Sequence, residues 1–384
     1  MSKPRVPSGR RQRRFTVILR KLAFLAALLP ILRFFVEKAK EQLGSSPALP
    51  DNAALVEIEN HAVEIARAAG AILARNFSNV ASLNVEYKDD KESDPVTNAD
   101  REAQDYLKGE ITRRFPNHGI LGEEDEEDES IAPDIVWVLD PLDGTKNFLS
   151  GLPLYACSVG VIFRGVPVAS AVFLPWPKDS GGIVLHARKG GGAFADTDPI
   201  HVIRDAEPKG NRLVTLPGGI GGMFRFNKPM HGKVGEVRMT GSIAYELSMV
   251  AKGVTQYTIT TAPLLWDAAG GVMLVLEAGG QVLVGDRRTG VFGLTNALRW
   301  TPLKSFFPSW RSGRTTMSEI RKWRKPLLLG NAVLLNFVTS NINSRTPVRR
   351  KAIRWVKSAV KPTKKAKKKE EPDIRNKDHA AHAS

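Results

Sequence analysis

Residues Trp137-Val138-Leu139-Asp140-Pro141-Leu142-Asp143-Gly144-Thr145-Lys146-Asn147-Phe148 carry an apolar run into two carboxylates three positions apart. With Ile135 and Val136 before it, the run reads as a buried strand. Pro141 bends the chain, so the side chains of Asp140 and Asp143 and the carbonyl of Leu142 fold to one side, an oxygen-rich set suited to a hard cation. A helix can begin at Gly144 and Thr145, and its exposed N–H groups suit a phosphate oxygen. The same residues also suit a solvent-exposed turn with two capping aspartates.

On the N-terminal side, Asp51 can cap a helix whose apolar positions Leu55, Ile58, Ala62, Ile65, Ala69 and Ile72 recur at three- and four-residue intervals. A second helix is expected from Thr97 through Leu107, Ile111 and Phe115, stopped by Pro116 and Gly119. Thr97 and Asp100 form a reciprocal capping pattern there, which accounts for Asp100 structurally. Gly122-Glu123-Glu124-Asp125 opens an acidic run that reads as a solvated loop, except that Glu123 sits at a strand end where it can reach a cleft.

On the C-terminal side, Cys157 to Phe163 and Val166 to Phe173 predict a hairpin around Arg164-Gly165, and another strand pair flanks Gly190 to Gly192. Beyond Asp198, strands alternate with helices, including Ile243 to Lys252 and Trp266 to Glu277, as in an α/β lobe. Asp267 stands in the first turn of the second of these helices, where the dipole alone would favour it. Asp100, Glu123, Asp140, Asp143 and Asp267 thus lie at strand ends and helix starts with no histidine or cysteine near them, which is the ligand chemistry of magnesium.

Length and composition set the frame. A chain of 384 residues, 42% hydrophobic and 25% charged, is long enough for two coupled lobes. Its one cysteine, Cys157, excludes an intramolecular disulfide framework and a multi-cysteine zinc site. The net charge of +16 divides into +9 for residues 1–50, −9 for 51–300 and +16 for 301–384. This is an acidic body between two basic tails, and the acidic body argues against nucleic acid as substrate. The longest uncharged run of the first tail, Leu22 to Leu32, is too short for a bilayer span of ~20 residues and suits an amphipathic surface segment or a targeting sequence. The second tail combines apolar Leu327 to Val338, Trp323 and Trp355 among cations, and the lysine cluster Lys361 to Lys369. An anionic membrane surface is one partner such tails would take, nucleic acid or protein another, and a solvated lysine tail is the alternative.

The chain resembles the inositol monophosphatase family of magnesium-dependent, lithium-sensitive phosphatases. The resemblance covers roughly Leu55 to Thr295 and rests on Asp94 to Asp100, Gly122-Glu123-Glu124, Trp137 to Phe148, Ala187 to Phe194, Gly241 to Ala244, Trp266 to Gly270 and Glu277 to Gly280. It implies an α+β and α/β chain in a layered α-β-α-β-α sugar-phosphatase fold. The expected division is a tail over 1–50, an N-terminal metal-binding lobe over 51–197, a C-terminal lobe over 198–300 and a tail over 301–384. It further implies that Glu123, Asp140 and the Leu142 carbonyl hold one Mg2+, that Asp140, Asp143 and Asp267 hold a second, and that Glu123 helps a third. Asp100 and Thr145 match the pair that orients and deprotonates a water, so Asp100, Thr145 and Glu123 are the expected catalytic residues. Lys88 matches a basic residue near the third metal.

Substrate contacts are expected at Asp143, Gly144, Thr145, Gly241, Ser242, Ile243 and Asp267. The implied substrate is a small phosphorylated polyol, inositol monophosphate or a related sugar phosphate. Thr260 stands where inositol-specific members carry a glutamate, and Ile243 is bulkier than the residue usual there, which weakens the inositol-specific reading. Asn147 favours the inositol and fructose branches over the 3′(2′),5′-bisphosphate nucleotidases, which usually carry glutamate there, and Phe148 to Pro153 resembles a segment of histidinol-phosphate phosphatases; both remain alternatives. So does a catalytically silent member docked by its tails. The expected assembly is a homodimer in the cytoplasm, with peripheral membrane contact through the tails.

Overall fold

The computed structural model describes residues 49–79, 85–87, 95–176, 181–289 and 296–344. These build layers in the order helix, sheet, helix, sheet, helix. The outer helix pair is α1 (Asn52–Phe77) and α2 (Asn98–Arg114). Asp51 starts α1 by accepting from Ala54 N at 2.8 Å, and Leu55, Ile58, Ala62, Ile65 and Ala69 form its buried stripe, as their spacing requires.

A short antiparallel pair, β1 (Val85–Tyr87) and β2 (Pro95–Thr97), leads into α2. The first large sheet follows in chain order: β3 (Gly119–Gly122), β4 (Ile135–Asp143), β5 (Ala156–Phe163), β6 (Val166–Leu174), β7 (Ile183–Arg188), β8 (Gly192–Ala195) and β9 (Asp198–Pro199). Only the β3–β4 pairing is parallel, and a short helix, α3 (Thr145–Leu149), joins β4 to β5. Helices cover both faces of this sheet, so β4 is apolar from Ile135 to Leu139: Trp137 and Leu139 enter the core under α1 and α2, Val136 and Val138 the core on the opposite face. The hairpin turn falls at Arg164-Gly165, both at positive φ, which matches the twist of the flanking strands.

The second large sheet contains β10 (Leu213–Thr215), β12 (Glu236–Arg238), β13 (Thr255–Thr260), β14 (Gln281–Thr289), β15 (Asn296–Pro302) and β16 (Leu327–Gly330), in the order β12-β10-β13-β16-β14-β15. α4 (Ile220–Met223) precedes β11 (Phe224–Phe226), which pairs with β17 (Ile342–Ser344). Between the two large sheets lie α5 (Ile243–Ala251) and α6 (Leu265–Glu277). α7 (Met317–Arg321) sits in the β15–β16 connection, and α8 (Ala332–Asn341) closes the outer face, burying Leu334, Leu335 and Val338.

One expected boundary is corrected. Residues 301–344 are not a tail: β16 lies inside the second sheet, antiparallel to β13 on one side and to β14 on the other, with all four residues buried. Trp323, expected at an interface, is 6% exposed and packs edge-on to Phe306. The lysines and arginines of this stretch flank an apolar strand, and net charge carries no information about fold. Residues 1–48 and 345–384, with their amphipathic and lysine-rich segments, and Lys88 and Asp94 lie outside the described residues. Among the described residues, no helix is long and apolar enough to cross a membrane.

Candidate active site

Strand β4 ends in a bulge. Asp140 faces Ser158 and Asp143 faces Ala156, so the β4 side of the ladder carries one extra residue. Pro141, which has no N–H for the ladder, occupies that bulge. Leu142 N donates to Asp140 Oδ1 at 3.2 Å, curling the turn back on its own strand. The Leu142 carbonyl then accepts from Thr145 Oγ1 at 3.1 Å. Gly144 continues the turn at φ 95°, and a Cβ there would lie 2.9 Å from the Leu154 carbonyl oxygen, so both conformation and space call for glycine.

Thr145 Oγ1 also lies 3.3 Å from Asp100 Oδ1. The other oxygen of Asp100 accepts from Thr97 N at 2.9 Å and from the Thr97 hydroxyl, closing the capping box at the start of α2. The two readings of Asp100, helix cap and partner of Thr145, therefore hold together, one on each oxygen. Glu123 N donates to the Leu139 carbonyl at 3.0 Å, extending the β3–β4 pairing and placing Glu123 beside the β4 end.

Asp267 arrives from α6. A Cβ on Gly160 would stand 2.6 Å from Ala269 Cβ, and one on Gly270 would stand 2.6 Å from Ser158 Oγ. With a glycine on each side of the contact and Ala269 and Ser158 facing them, α6 packs closely on β5, and its first turn meets the end of β4. From α5, Ser242 Oγ donates to Asp143 Oδ2 at 2.8 Å, and Ala244 N donates to the same oxygen. Gly241, at φ 84°, makes the turn that brings Ser242 there.

These placements gather acidic groups around the buried Asp140, with Glu123, Asp143 and Asp267 half-buried beside it. The Asp140 carboxyl is pushed well above the usual range by burial and then by Glu123, Asp143 and Asp267. Asp143 is raised in the same way by burial and Asp267, against the opposing bonds from Ala244 and Ser242. Burial lifts Asp267 to about 7, partly offset by its bond from Leu264 N, and burial lifts Asp100 to about 7 against the Thr97 bonds. Among the described residues, no three acid or histidine side chains surround a common point as they stand. The fit to a cation rests instead on donor chemistry: carboxylates that raise one another, joined by a backbone carbonyl, suit a hard divalent ion and lower their shared cost by binding one.

Sequence reasoning assigned no role in the site to several further groups. Asn147 Nδ2 donates to the Leu154 carbonyl at 2.6 Å and to the Thr240 carbonyl at 2.7 Å, tying α3 to the second lobe. Asp125, read as part of a solvated run, accepts from Gly122 N, Gln104 and Lys108 and so shapes the Glu123 loop. Arg321 donates to the carbonyls of Gly122 and Glu123 at 2.9 and 2.8 Å, with its guanidinium 4.8 Å from the Trp266 ring centroid. Arg324 donates to the Ala262 carbonyl at 3.1 Å. Asn147 stood in a quoted motif without a contact to suggest; the two arginines fell in the stretch read as tail. A cavity of about 330 Å³ opens beside these groups, lined by Gly241, Ser242, Ile243, Thr260 and Arg324 among others.

Residues 54–305 match the model of the inositol monophosphatase family. An inositol-1-monophosphatase of Mesorhizobium japonicum is 34% identical over 235 residues, 58% of this chain and 84% of the relative. A fructose-1,6-bisphosphatase/inositol-1-monophosphatase of Aquifex aeolicus is 32% identical over 233 residues, 58% and 83% of the two chains. Among solved structures, the extragenic suppressor protein suhB of Bartonella henselae superposes with a TM-score of 0.54 at 26% identity, covering 72% of this chain and 95% of that one. With its layered fold and the family model spanning more than half of its length, the chain belongs to the inositol monophosphatase family, whose members are phosphoric monoester hydrolases.

Proposed function

We propose that this protein is a magnesium-dependent phosphomonoesterase acting on a small phosphorylated polyol, inositol monophosphate or a related sugar phosphate. The observation that carries the reading is the surroundings of Asp140, a buried carboxyl at the end of β4 that Glu123, Asp143 and Asp267 all approach closely enough to raise, with the Thr145–Asp100 pair alongside. Glu123, Asp140 and the Leu142 carbonyl would hold one Mg2+, and Asp140, Asp143 and Asp267 a second, with Glu123 also serving a third. When bound, Mg2+ supplies Lewis-acid polarisation of the phosphoryl group and acidifies a water.

The chain's own groups supply the rest. Thr145 Oγ1 orients the attacking water, and Asp100 takes its proton through that hydroxyl. A carboxyl whose pKa is lifted to about 7 is matched to that exchange near neutral pH. The water oxygen bonds to phosphorus as the ester P–O bond breaks, and the leaving alkoxide takes a proton from solvent water and departs as the alcohol. The N–H groups of Gly144 and Thr145 face the developing phosphoryl charge, a role the left-handed glycine permits by presenting bare backbone. Gly241, Ser242 and Ile243 line the cavity that would take the alcohol. Ser242 and Ala244, through Asp143, couple that cavity to the carboxylates.

The test is phosphate release from inositol 1-phosphate, fructose 1,6-bisphosphate, histidinol phosphate and 3′-phosphoadenosine 5′-phosphate, with and without Mg2+ and Li+. Mg2+-dependent, Li+-sensitive release from a polyol phosphate is expected. Release from none of the panel, or release indifferent to Mg2+, would overturn the reading.

A further inference from the structure

The cavity beside the carboxylates is lined mainly by apolar groups, including Pro217, Met239, Ile243 and Ile259, and it has two polar features that the proposed chemistry does not use. Thr260 is 4% exposed, and its buried Oγ1 has no hydrogen-bond partner. A buried hydroxyl left without a partner costs free energy unless a ligand completes it. Arg324 is the second feature. Its backbone pairs with Leu264 in an isolated antiparallel bridge and its Nε donates to the Ala262 carbonyl at 3.1 Å, so the side chain is tied to the cavity wall. No carboxylate among the described residues forms an ion pair with it, although its charge reaches Asp267, whose carboxyl it pulls down.

The cavity's other charged group is engaged with the backbone turn before α5: Glu246 Oε1 accepts from Thr240 N at 2.8 Å and from Thr240 Oγ1 at 3.0 Å. In this mainly apolar cavity the Arg324 guanidinium, held through Nε, is the cationic group that an anion would meet. Arg324 lies beyond residue 305, where the family match ends, on the segment that leads through α7 into β16.

From this we infer that Arg324 is a specificity-determining residue that selects phosphate monoesters whose alcohol carries a second anionic group, with Thr260 completing a hydrogen bond to the same alcohol. This rests on the phosphatase reading above and narrows its substrate class. A guanidinium presents paired N–H donors that match a phosphate or a carboxylate equally, so the shared chemistry is the anion.

Matched esters test it. We would measure kcat/KM for fructose 1,6-bisphosphate against fructose 1-phosphate, and for 2-phosphoglycerate against glycerol 2-phosphate, in wild type, Arg324→Gln and Arg324→Lys. The wild type is expected to favour the ester with the second anion in at least one pair; the pair that responds tells phosphate from carboxylate. That preference should shrink about thirtyfold in Arg324→Gln, chiefly through KM, and be partly restored in Arg324→Lys. A wild type without preference, or a preference unchanged in Arg324→Gln, would overturn this inference while leaving the phosphatase reading standing. Hydrolysis of no ester by the wild type would overturn both. Because the wild-type comparison is itself decisive, the inference stays open to refutation even if Arg324→Gln does not fold.

Discussion

The two lobes build the site by different means. In the first, Asp100, Asp140 and Thr145 are held by partners within three positions: Thr97 for Asp100, Leu142 N for Asp140, and the Leu142 carbonyl for Thr145. In the second, the contributing groups are held across the molecule. Ser242 reaches Asp143, Arg321 reaches Gly122 and Glu123, and the Thr240 carbonyl accepts from Asn147. Reactive groups on a bulged strand end are fixed by local turns, while the alignment of one lobe on the other is fixed by side chains that bridge them. Damage to the first kind should abolish turnover, and damage to the second should loosen cation binding and substrate choice.

Asp140→Asn should give the largest effect. Removing one shared carboxylate is expected to lower turnover by about a thousandfold, the loss of several kcal/mol of transition-state stabilisation, at a Mg2+ concentration that saturates the wild type. The fold should not suffer. Asp140 is buried among like charges, so its removal should raise rather than lower the melting temperature of the metal-free protein above neutral pH. A lowered melting temperature would assign Asp140 a structural role instead.

Thr145→Val should come next, with kcat down about a hundredfold and KM little changed, since the hydroxyl linking Asp100 to the attacking water is lost. Arg321→Gln tests the other kind of contact. It leaves every carboxylate in place but frees the Gly122 and Glu123 carbonyls. The Mg2+ concentration for half-maximal rate should rise about tenfold, the size expected for a partner that orients ligands without being one. A fall in kcat as large as that of Asp140→Asn would erase the distinction between the lobes.

The smallest effect is on stability. The Asp267 carboxyl is raised from 3.8 to about 7 in the fold, chiefly by burial, so between those values the folded state holds a proton that the unfolded state has released. Stability of the metal-free protein therefore falls as pH rises through that window and levels off above it. Asp100, raised to about 7, contributes with the same sign. Chemical denaturation in EDTA across the window should show the fall, and saturating Mg2+ should flatten it. A metal-free protein that gains stability over the same range would contradict the charge clustering.

The same division explains what could be read in advance. The capping box at Thr97 and Asp100, the strand into Asp140, the turn through Gly144 and the helix start at Asp267 are short-range patterns, and each was legible because a few neighbouring residues determine it. The helix stripe of α1 was legible for the same reason. Residues 301–344 were not, because the role of Leu327–Gly330 depends on strands β13 and β14, which lie far from it in sequence, while its flanking cations suggested a tail. Arg321 and Arg324 went unnoticed with it. Asp125 was hidden in another way: one residue of an acidic run is paired with Lys108 and Gln104, and composition does not say which. The glycines at 190 and 192 belong to a recognisable motif, but their reason is distant, since both N–H groups donate to Glu277 at 3.0 and 3.1 Å.

The most direct measurement is calorimetric titration of Mg2+ into wild type and Asp140→Asn at neutral pH, in buffers of different ionisation enthalpy. We expect saturable binding by the wild type with release of protons from the clustered carboxyls, and loss of that binding in Asp140→Asn. Equal binding by the two proteins, or no binding by the wild type, would contradict the assignment of these carboxylates to a divalent cation.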